Sequence, residues 1–174
     1  MIFYIAQAIG IVTTICSVVV VQFKSIKKIL LGQIISNLLV ALNYILLGGL
    51  SGAGVCILAT VQTIWIYFYN KKDKKFPLAF NIGFMAGYTA ITFFSFVGIA
   101  SILSCIAALL YAMSVTQEDS KYYRVYMLLN SFIWIAYDVY TCAYTTILTH
   151  AFIVISIVLA MIRLDRKENS KQNI

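Results

Sequence analysis

Long apolar runs, interrupted at short intervals by clusters of charge, organise this chain from end to end. Cut at those clusters and at Gly, Ser and Pro signals, it yields seven apolar segments: Ile2 to Phe23, Ile29 to Gly48, Ala53 to Asn70, Pro77 to Ser95, Gly98 to Thr116, Tyr122 to Ala143 and Thr145 to Ile162. A helix rising 1.5 Å per residue needs about 20 residues to cross about 30 Å of hydrocarbon, and each segment is judged against that requirement. The cut at Cys142 to Thr146 is the least marked, so segments six and seven read almost as one run. Pro77 follows the basic run Lys71 to Lys75 and opens the fourth segment, where a first helical turn tolerates its missing N–H.

Composition turns these segments into membrane spans. Hydrophobic residues make up 62% and charged residues 11% of the chain, and mean hydropathy is +0.93. An ordinary soluble domain is about a quarter charged, so this chain has too few polar residues to clothe a wet surface. The first segment has neither a basic flank before it nor a small-residue cleavage site, which predicts a retained span.

The net charge of +7 raises the question of a nucleic-acid partner, which the placement of the basic residues answers. They form four clusters: Lys24, Lys27 and Lys28; Lys71, Lys72, Lys74 and Lys75; Lys121 and Arg124; and Arg163, Arg166, Lys167 and Lys171. Each lies between or after apolar runs, as loop residues do. Seven spans put all four clusters on one side, and the positive-inside rule makes that side cytoplasmic, with the N-terminus outside the cytoplasm and the C-terminus inside it. The four cysteines, Cys16, Cys56, Cys105 and Cys142, are scattered singly, without the spacing of a metal or redox site, and read as small buried hydrophobes.

A shift of 93 residues lays the first three segments over the last three, with Asn37 on Asn130, Tyr44 on Tyr137 and Lys28 on Lys121. The chain then divides into a first three-helix repeat (1–70), a connector helix (71–97), a second repeat (98–163) and a cytoplasmic tail (164–174). A single connecting helix returns the chain to its starting side, so the two repeats are parallel. The expected fold class is an all-α integral membrane protein of seven transmembrane helices.

This layout resembles the SWEET, SemiSWEET and PQ-loop sugar transporters and the PnuC-type vitamin transporters. At sequence level the chain looks like the YgjV-type family of bacterial inner-membrane proteins. The resemblance is carried by I-A-Q-A-I-G at Ile5 to Gly10, L-L-G-G-L-S-G-A at Leu46 to Ala53, and W-I-A-Y-D at Trp134 to Asp138, followed by the apolar seventh segment running into Ile162 and Arg163. It spans essentially the whole chain. The Pro-Gln pair of the PQ-loop proteins is absent, since Gln7 has no proline before it, and no catalytic residue is carried over.

Polar residues inside the spans are expensive and are therefore the candidate site. Asp138 and His150 are the ionisable ones, both placed about 8 Å below the outer surface on neighbouring antiparallel helices, as a proton or cation site or as a structural hydrogen bond. Asn37 and Asn130 sit mid-helix and need partners, either a substrate at the repeat interface or an interhelical clamp. Asn130, Trp134 and Asp138 share one helical stripe, an aromatic plate between polar groups that suits a sugar, nucleoside or amine; Tyr44 and Tyr137 complete the candidate substrate site. Cys56, Thr60, Thr63 and Tyr67 share a face of helix three, with Gln62 off it, and Thr149 and Ser156 share one on helix seven. Tyr4, Tyr122, Tyr123 and Tyr126 read as interfacial anchors. No H-E-x-x-H, G-x-S-x-G or paired-carboxylate constellation occurs, so neither an enzyme nor a metal or cofactor is expected. The expected function is a small-solute transporter or facilitator. The alternative is a partner subunit or assembly factor whose polar residues only pack helices. The expected partners are the bilayer and a small solute, with no nucleic acid and homo-oligomer formation left open.

Overall fold

The computed structural model describes residues 2–46, 50–94, 96, 98–140 and 144–165, and every regular element among them is helical. In chain order these are α1 (Ile2–Val20), α2 (Ile26–Leu46), α3 (Leu50–Lys71), α4 (Leu78–Phe94), α5 (Ile99–Val115), α6 (Ser120–Tyr140) and α7 (Tyr144–Ala160), the last running on into a π-helical segment over Met161–Asp165. The seven helices expected from the apolar runs are present. Cys142 and the charged tail from Arg166 onward lie outside the described residues.

Two helices start earlier than the apolar pattern predicts. α2 takes in Lys27 and Lys28, and α6 takes in Lys121, because the backbone ladder is initiated upstream. The Ser25 carbonyl accepts from the N–H groups of Lys28 and Ile29, and the Asp119 carbonyl accepts from Tyr123 N–H. The Asp119 carboxylate also accepts from Lys121 N–H at 2.8 Å, capping α6. Charge marks where lipid should end, whereas a helix ends where its hydrogen bonds do.

The helices present apolar residues outward and bury many polar ones among an apolar core, unlike a soluble bundle. Exposed residues recur along single faces: Ile11, Ile15 and Val19 on α1; Leu31, Ile35, Leu38 and Leu42 on α2; Ile57, Val61, Trp65 and Phe68 on α3; Leu148, Phe152, Ile155 and Leu159 on α7. The buried set includes Gln33, Gln62, Thr63, Asn81, Ser114, Arg124, Asn130, Ser131, Asp138 and Ser156. Only an apolar solvent rewards that arrangement. Ile26–Leu46, Ala53–Lys71 and Thr146–Leu164 are long and apolar enough to cross a membrane, while Tyr4–Val20, Leu78–Phe94 and Ile99–Val115 are shorter apolar helices.

Each helix packs on its neighbours in sequence, and α1 meets α7 to close the ring, with α3 against α5 and α2 against α6 across the middle. α1 and α7 are parallel. Thr14 Oγ1 lies 3.4 Å from Thr149 Oγ1, Ser156 Oγ donates to the Val18 carbonyl at 2.8 Å, and Arg163 donates to Gln22 Oε1 at 3.0 Å, so residue numbers rise together along the contact. Gln22 completes this seam by donating to Ser156 Oγ at 2.7 Å. α1 packs tightly on α2 at Gly32, where a Cβ would run into the Val20 side chain. Small residues let helices meet this way when no water drives them together.

Two residues read from the sequence as surface groups are core groups. Arg124 is fully buried, although it reads as loop charge. Its Nε donates to the Val21 carbonyl at 3.1 Å and its Nη2 to the Phe23 carbonyl at 2.6 Å, so the guanidinium caps the C-terminal end of α1, where cations are favoured. Tyr123, expected as an interfacial anchor, is also fully buried and accepts from Gln33 Nε2 at 2.6 Å, tying α6 to α2. Tyr4 and Tyr122 are exposed as anchors are.

The basic segments converge at one end of the bundle. Lys27 pairs with Asp73 at 3.0 Å and Lys75 with Glu118 at 3.7 Å, bridging the α1–α2, α3–α4 and α5–α6 connections, and Arg163 meets Gln22 at the same end. These exposed pairs hold loops together more than they stabilise the fold.

Three substitutions test this packing. Gly32→Ala forces a methyl into the buried, β-branched and therefore rigid Val20, and is expected to cost about 1–3 kcal/mol by thermal denaturation in detergent. Arg124→Leu, which strips donors from buried carbonyls, is expected to cost roughly 3 kcal/mol, against less than about 1 kcal/mol for Lys27→Ala. Equal losses for the last two would show that Arg124 is not anchoring α1.

Candidate functional site

The described acid furthest from the basic end, Asp138, is 2% exposed and stands two residues before the end of α6. His150 stands six residues into α7, deeper along the axis than the equal depths expected from sequence. The side chains nevertheless meet, with His150 Nε2 3.8 Å from Asp138 Oδ2. Cα–Cβ bonds tilt toward a helix's own N-terminus, so on antiparallel neighbours the two side chains lean toward each other. Thr146, one turn before His150, also hydrogen-bonds Asp138.

Trp134 and Tyr137 wall this pair. The Trp134 ring is parallel to the imidazole, at 4° and 5.9 Å between centroids, and edge-on to Tyr137 at 5.3 Å and 80°. Trp134 precedes Asp138 by one turn, which is why one side of α6 can offer a ring and a carboxylate together. The imidazole Nδ1 is buried and has no hydrogen-bond partner among the described residues. From the other half of the chain Tyr44, near the end of α2, comes close enough to interact electrostatically with Asp138, Tyr137 and Cys56. Tyr44 is 39% exposed and stands at the edge of the cluster.

The structure separates the two asparagines from this cluster and from each other's bonding. Asn37 donates to Tyr111 Oη at 2.6 Å, and that hydroxyl lies 2.9 Å from Thr63 Oγ1, so one phenol joins α2, α3 and α5. Asn130 donates to the Ala107 carbonyl at 2.6 Å. Both amides therefore engage α5, one turn apart, in bonds of interhelical clamp type. The stripe Asn130, Trp134, Asp138 exists on α6, but its lower end is committed to helix packing.

Several polar positions were not singled out in the sequence. Tyr111 is the hub of the Asn37 and Thr63 bonds. Gln62, seen only as lying off the polar face of helix three, is fully buried; it donates to Asn81 Oδ1 and accepts from Tyr88 Oη, both at 2.9 Å, binding α4 to α3. Gln33, Gln22 and Thr146 were likewise unmarked. A buried Gln or Tyr differs from an exposed one only in its neighbours, and spacing within one helix says nothing of those. Among the described residues no group of three or more His, Cys, Asp or Glu could hold a metal ion.

Comparison with known proteins places the chain without naming its chemistry. No curated protein and no solved structure matches it. The family model Imp-YgjV, described as bacterial inner membrane protein, matches residues 4–168. With that match over nearly all of an inside-out helical bundle, the chain belongs to the Imp-YgjV family of bacterial inner membrane proteins.

Proposed function

We propose that the protein crosses the inner membrane seven times, with its N-terminus outside and its basic end in the cytoplasm, and facilitates passage of a small solute. The carrying observation is the buried Asp138, 3.8 Å from His150, at the end opposite all the basic loops. An ionisable pair inside a bilayer is costly and is maintained where it serves a pathway or a proton. No chemistry on the solute is part of this reading.

Two parallel three-helix units around α4 are part of this reading, and the limits of α2, α3, α6 and α7 support a register of 94 residues rather than 93. Ile26–Leu46 and Ser120–Tyr140 are both 21 residues and start 94 positions apart, and Leu50–Lys71 matches Tyr144–Asp165 at the same spacing at both ends. Ile29 N–H to Ser25 O and Tyr123 N–H to Asp119 O repeat it at the helix starts. The contacts among these six helices also survive exchange of α1 with α5, α2 with α6 and α3 with α7, which turns the α1–α7 contact into the α3–α5 one; those of α4, with α3 and α5, do not. In this register Asn37 overlies Ser131 and Asn130 overlies Ser36, so the asparagines are not equivalent, whereas Tyr44 overlies Asp138 and Cys56 overlies His150.

The second reading, a partner subunit or assembly factor, is favoured by one observation: Asn37 and Asn130 spend their donors on neighbouring helices rather than on a shared cavity.

Topology and transport are tested separately. Alkaline phosphatase inserted at Ser51 is expected to be active and a fluorescent protein fused after Lys171 to fluoresce; the opposite pattern overturns the orientation. For transport, proteoliposome uptake of a panel of labelled sugars, nucleosides and amines is compared between the parent chain and Asp138→Asn. The expected result is uptake by the parent of at least one class, cut roughly tenfold or more in the variant, with unchanged membrane abundance and melting temperature. Loss of abundance or melting temperature with surviving uptake would assign the pair to helix packing.

A further inference from the structure

We infer that the groove between α3 and α4, bridged at its basic end by the turn over residues 71–75, seats one anionic phospholipid, with the phosphate on the lysines and an acyl chain between the helices. The inference rests on the membrane-crossing part of the proposed reading and is independent of transport.

The groove is apolar, open and about 280 Å³ in volume, and is lined by Leu58, Trp65, Ala79, Phe80, Gly83 and Phe84. Trp65 stands edge-on to both phenylalanines, so aromatic rings form much of its wall. A Cβ on Gly83 would meet nothing within 4 Å, so the protein leaves that space to another occupant. Gln62 fastens α4 to α3 through Asn81 and Tyr88, which holds the two walls at a fixed spacing.

The exposed face of α3 leads to the lysines. Ile57, Val61, Trp65 and Phe68 recur along it at helical spacing. Lys72, whose N–H still bonds the Phe68 carbonyl at 3.3 Å, continues that row four positions after Phe68 and seven after Trp65.

The arrangement of charge in the turn selects the headgroup. α3 ends with Lys74 N–H on the Tyr69 carbonyl at 3.0 Å and Asp73 N–H on that of Asn70 at 3.1 Å, a cap that requires a left-handed residue at position 73, where glycine is usual. Asp73 takes that conformation, with φ 51°, and its carboxylate pairs with Lys27 of α2 at 3.0 Å. Lys75 pairs with Glu118 of the α5–α6 connection at 3.7 Å. The single acid of the run is therefore engaged by another helix, and Lys71, Lys72 and Lys74 are exposed with no ion pair among the described residues. Lysines just beyond a spanning helix lay their stems on apolar surface and hold their ammonium groups at headgroup level. Over an apolar groove they match a lipid of net negative charge, whereas a zwitterionic lipid brings its own cation to the same place.

Trp65, in the groove wall, reports the occupant. In Trp134→Phe it is the sole indole, and lipids brominated on their acyl chains quench an indole they touch. The full chain is placed in phosphatidylcholine nanodiscs carrying equal fractions of either brominated phosphatidylglycerol or brominated phosphatidylcholine. The expected result is roughly fivefold stronger association of the anionic lipid with Trp65. That preference is expected to vanish in Lys71→Gln/Lys72→Gln and to persist in Lys71→Arg/Lys72→Arg and in the charge-matched Lys28→Gln/Lys121→Gln. Gly83→Leu, which fills the groove without meeting other side chains, is expected to lower it severalfold at an unchanged melting temperature. The reciprocal chain, Trp65→Phe, reports from Trp134 at the other end and is expected to show no preference.

Equal quenching of Trp65 by the two lipids overturns the inference. So does a preference that Gly83→Leu leaves intact, which would describe a diffuse charged surface rather than a seat. Displacement by sodium phosphate beyond that produced by sodium chloride of the same ionic strength would assign the turn to a soluble anion instead. Absence of quenching by either lipid would defeat the membrane-crossing reading as well. A lysine- and Gly83-dependent preference in a chain that takes up no labelled solute would uphold the inference and defeat transport.

Discussion

In a solvent that cannot hydrogen-bond, a polar side chain has to find its partner on another helix, and this constraint organises the whole bundle. Gln62 holds α4 to α3, Tyr111 gathers α2, α3 and α5, Gln33 and Tyr123 join α2 to α6, and Gln22 with Ser156 and Arg163 seals α1 to α7. Each link satisfies groups that lipid would leave bare, and together they fix which helices are neighbours. Arg124 is the strongest case. A fully buried guanidinium is tolerable because its donors are met, by Ser120 Oγ on its own helix and by two carbonyls just past α1, so the length of α1 and the identity of residue 124 constrain each other.

The same rule explains how much could be read from the sequence. Number, order and approximate limits of the helices follow from the length of apolar runs and the spacing of charge, since both report the thickness of hydrocarbon. Asp138 and His150 stand out because an ionisable residue in such a run is conspicuous in any context. Tyr123 and Arg124 mislead for a related reason: a residue three or four positions past a helix start reads as interfacial by its place in the sequence, while the packing of α6 carries it inside. Tyr111 and Gln62 are invisible because their importance lies in hydroxyl and amide partners on other helices. The one-residue difference between the sequence shift and the spacing of the α2 and α6 starts has the same origin. Asparagine matched to asparagine gives 93, but helix starts are set by Ser25 and Asp119, which are 94 apart and unlike in type.

The two ends of the molecule differ in kind. One is tied by exposed ion pairs between loops, Lys27 with Asp73 and Lys75 with Glu118, which salt weakens. The other is lined by a carboxylate, an imidazole and aromatic rings behind apolar helix faces, where screening by ions is slight. Changes of ionic strength should therefore act on the basic end and leave the chemistry of the opposite end almost untouched.

Tyr44 and Asp138 each stand eighteen residues past the start of their helix, α2 and α6, and lie within electrostatic reach of each other. An assembly of two identical three-helix chains would have to put the same side chain at both places. Two aspartates would then confront each other in a medium of low dielectric, and two tyrosines would leave no charge at all. A single polypeptide carries no such obligation: the position on α6 is acidic and that on α2 aromatic. A carboxylate within reach of a phenol at the same place on another helix is thus open to one chain and closed to a symmetric pair of identical ones.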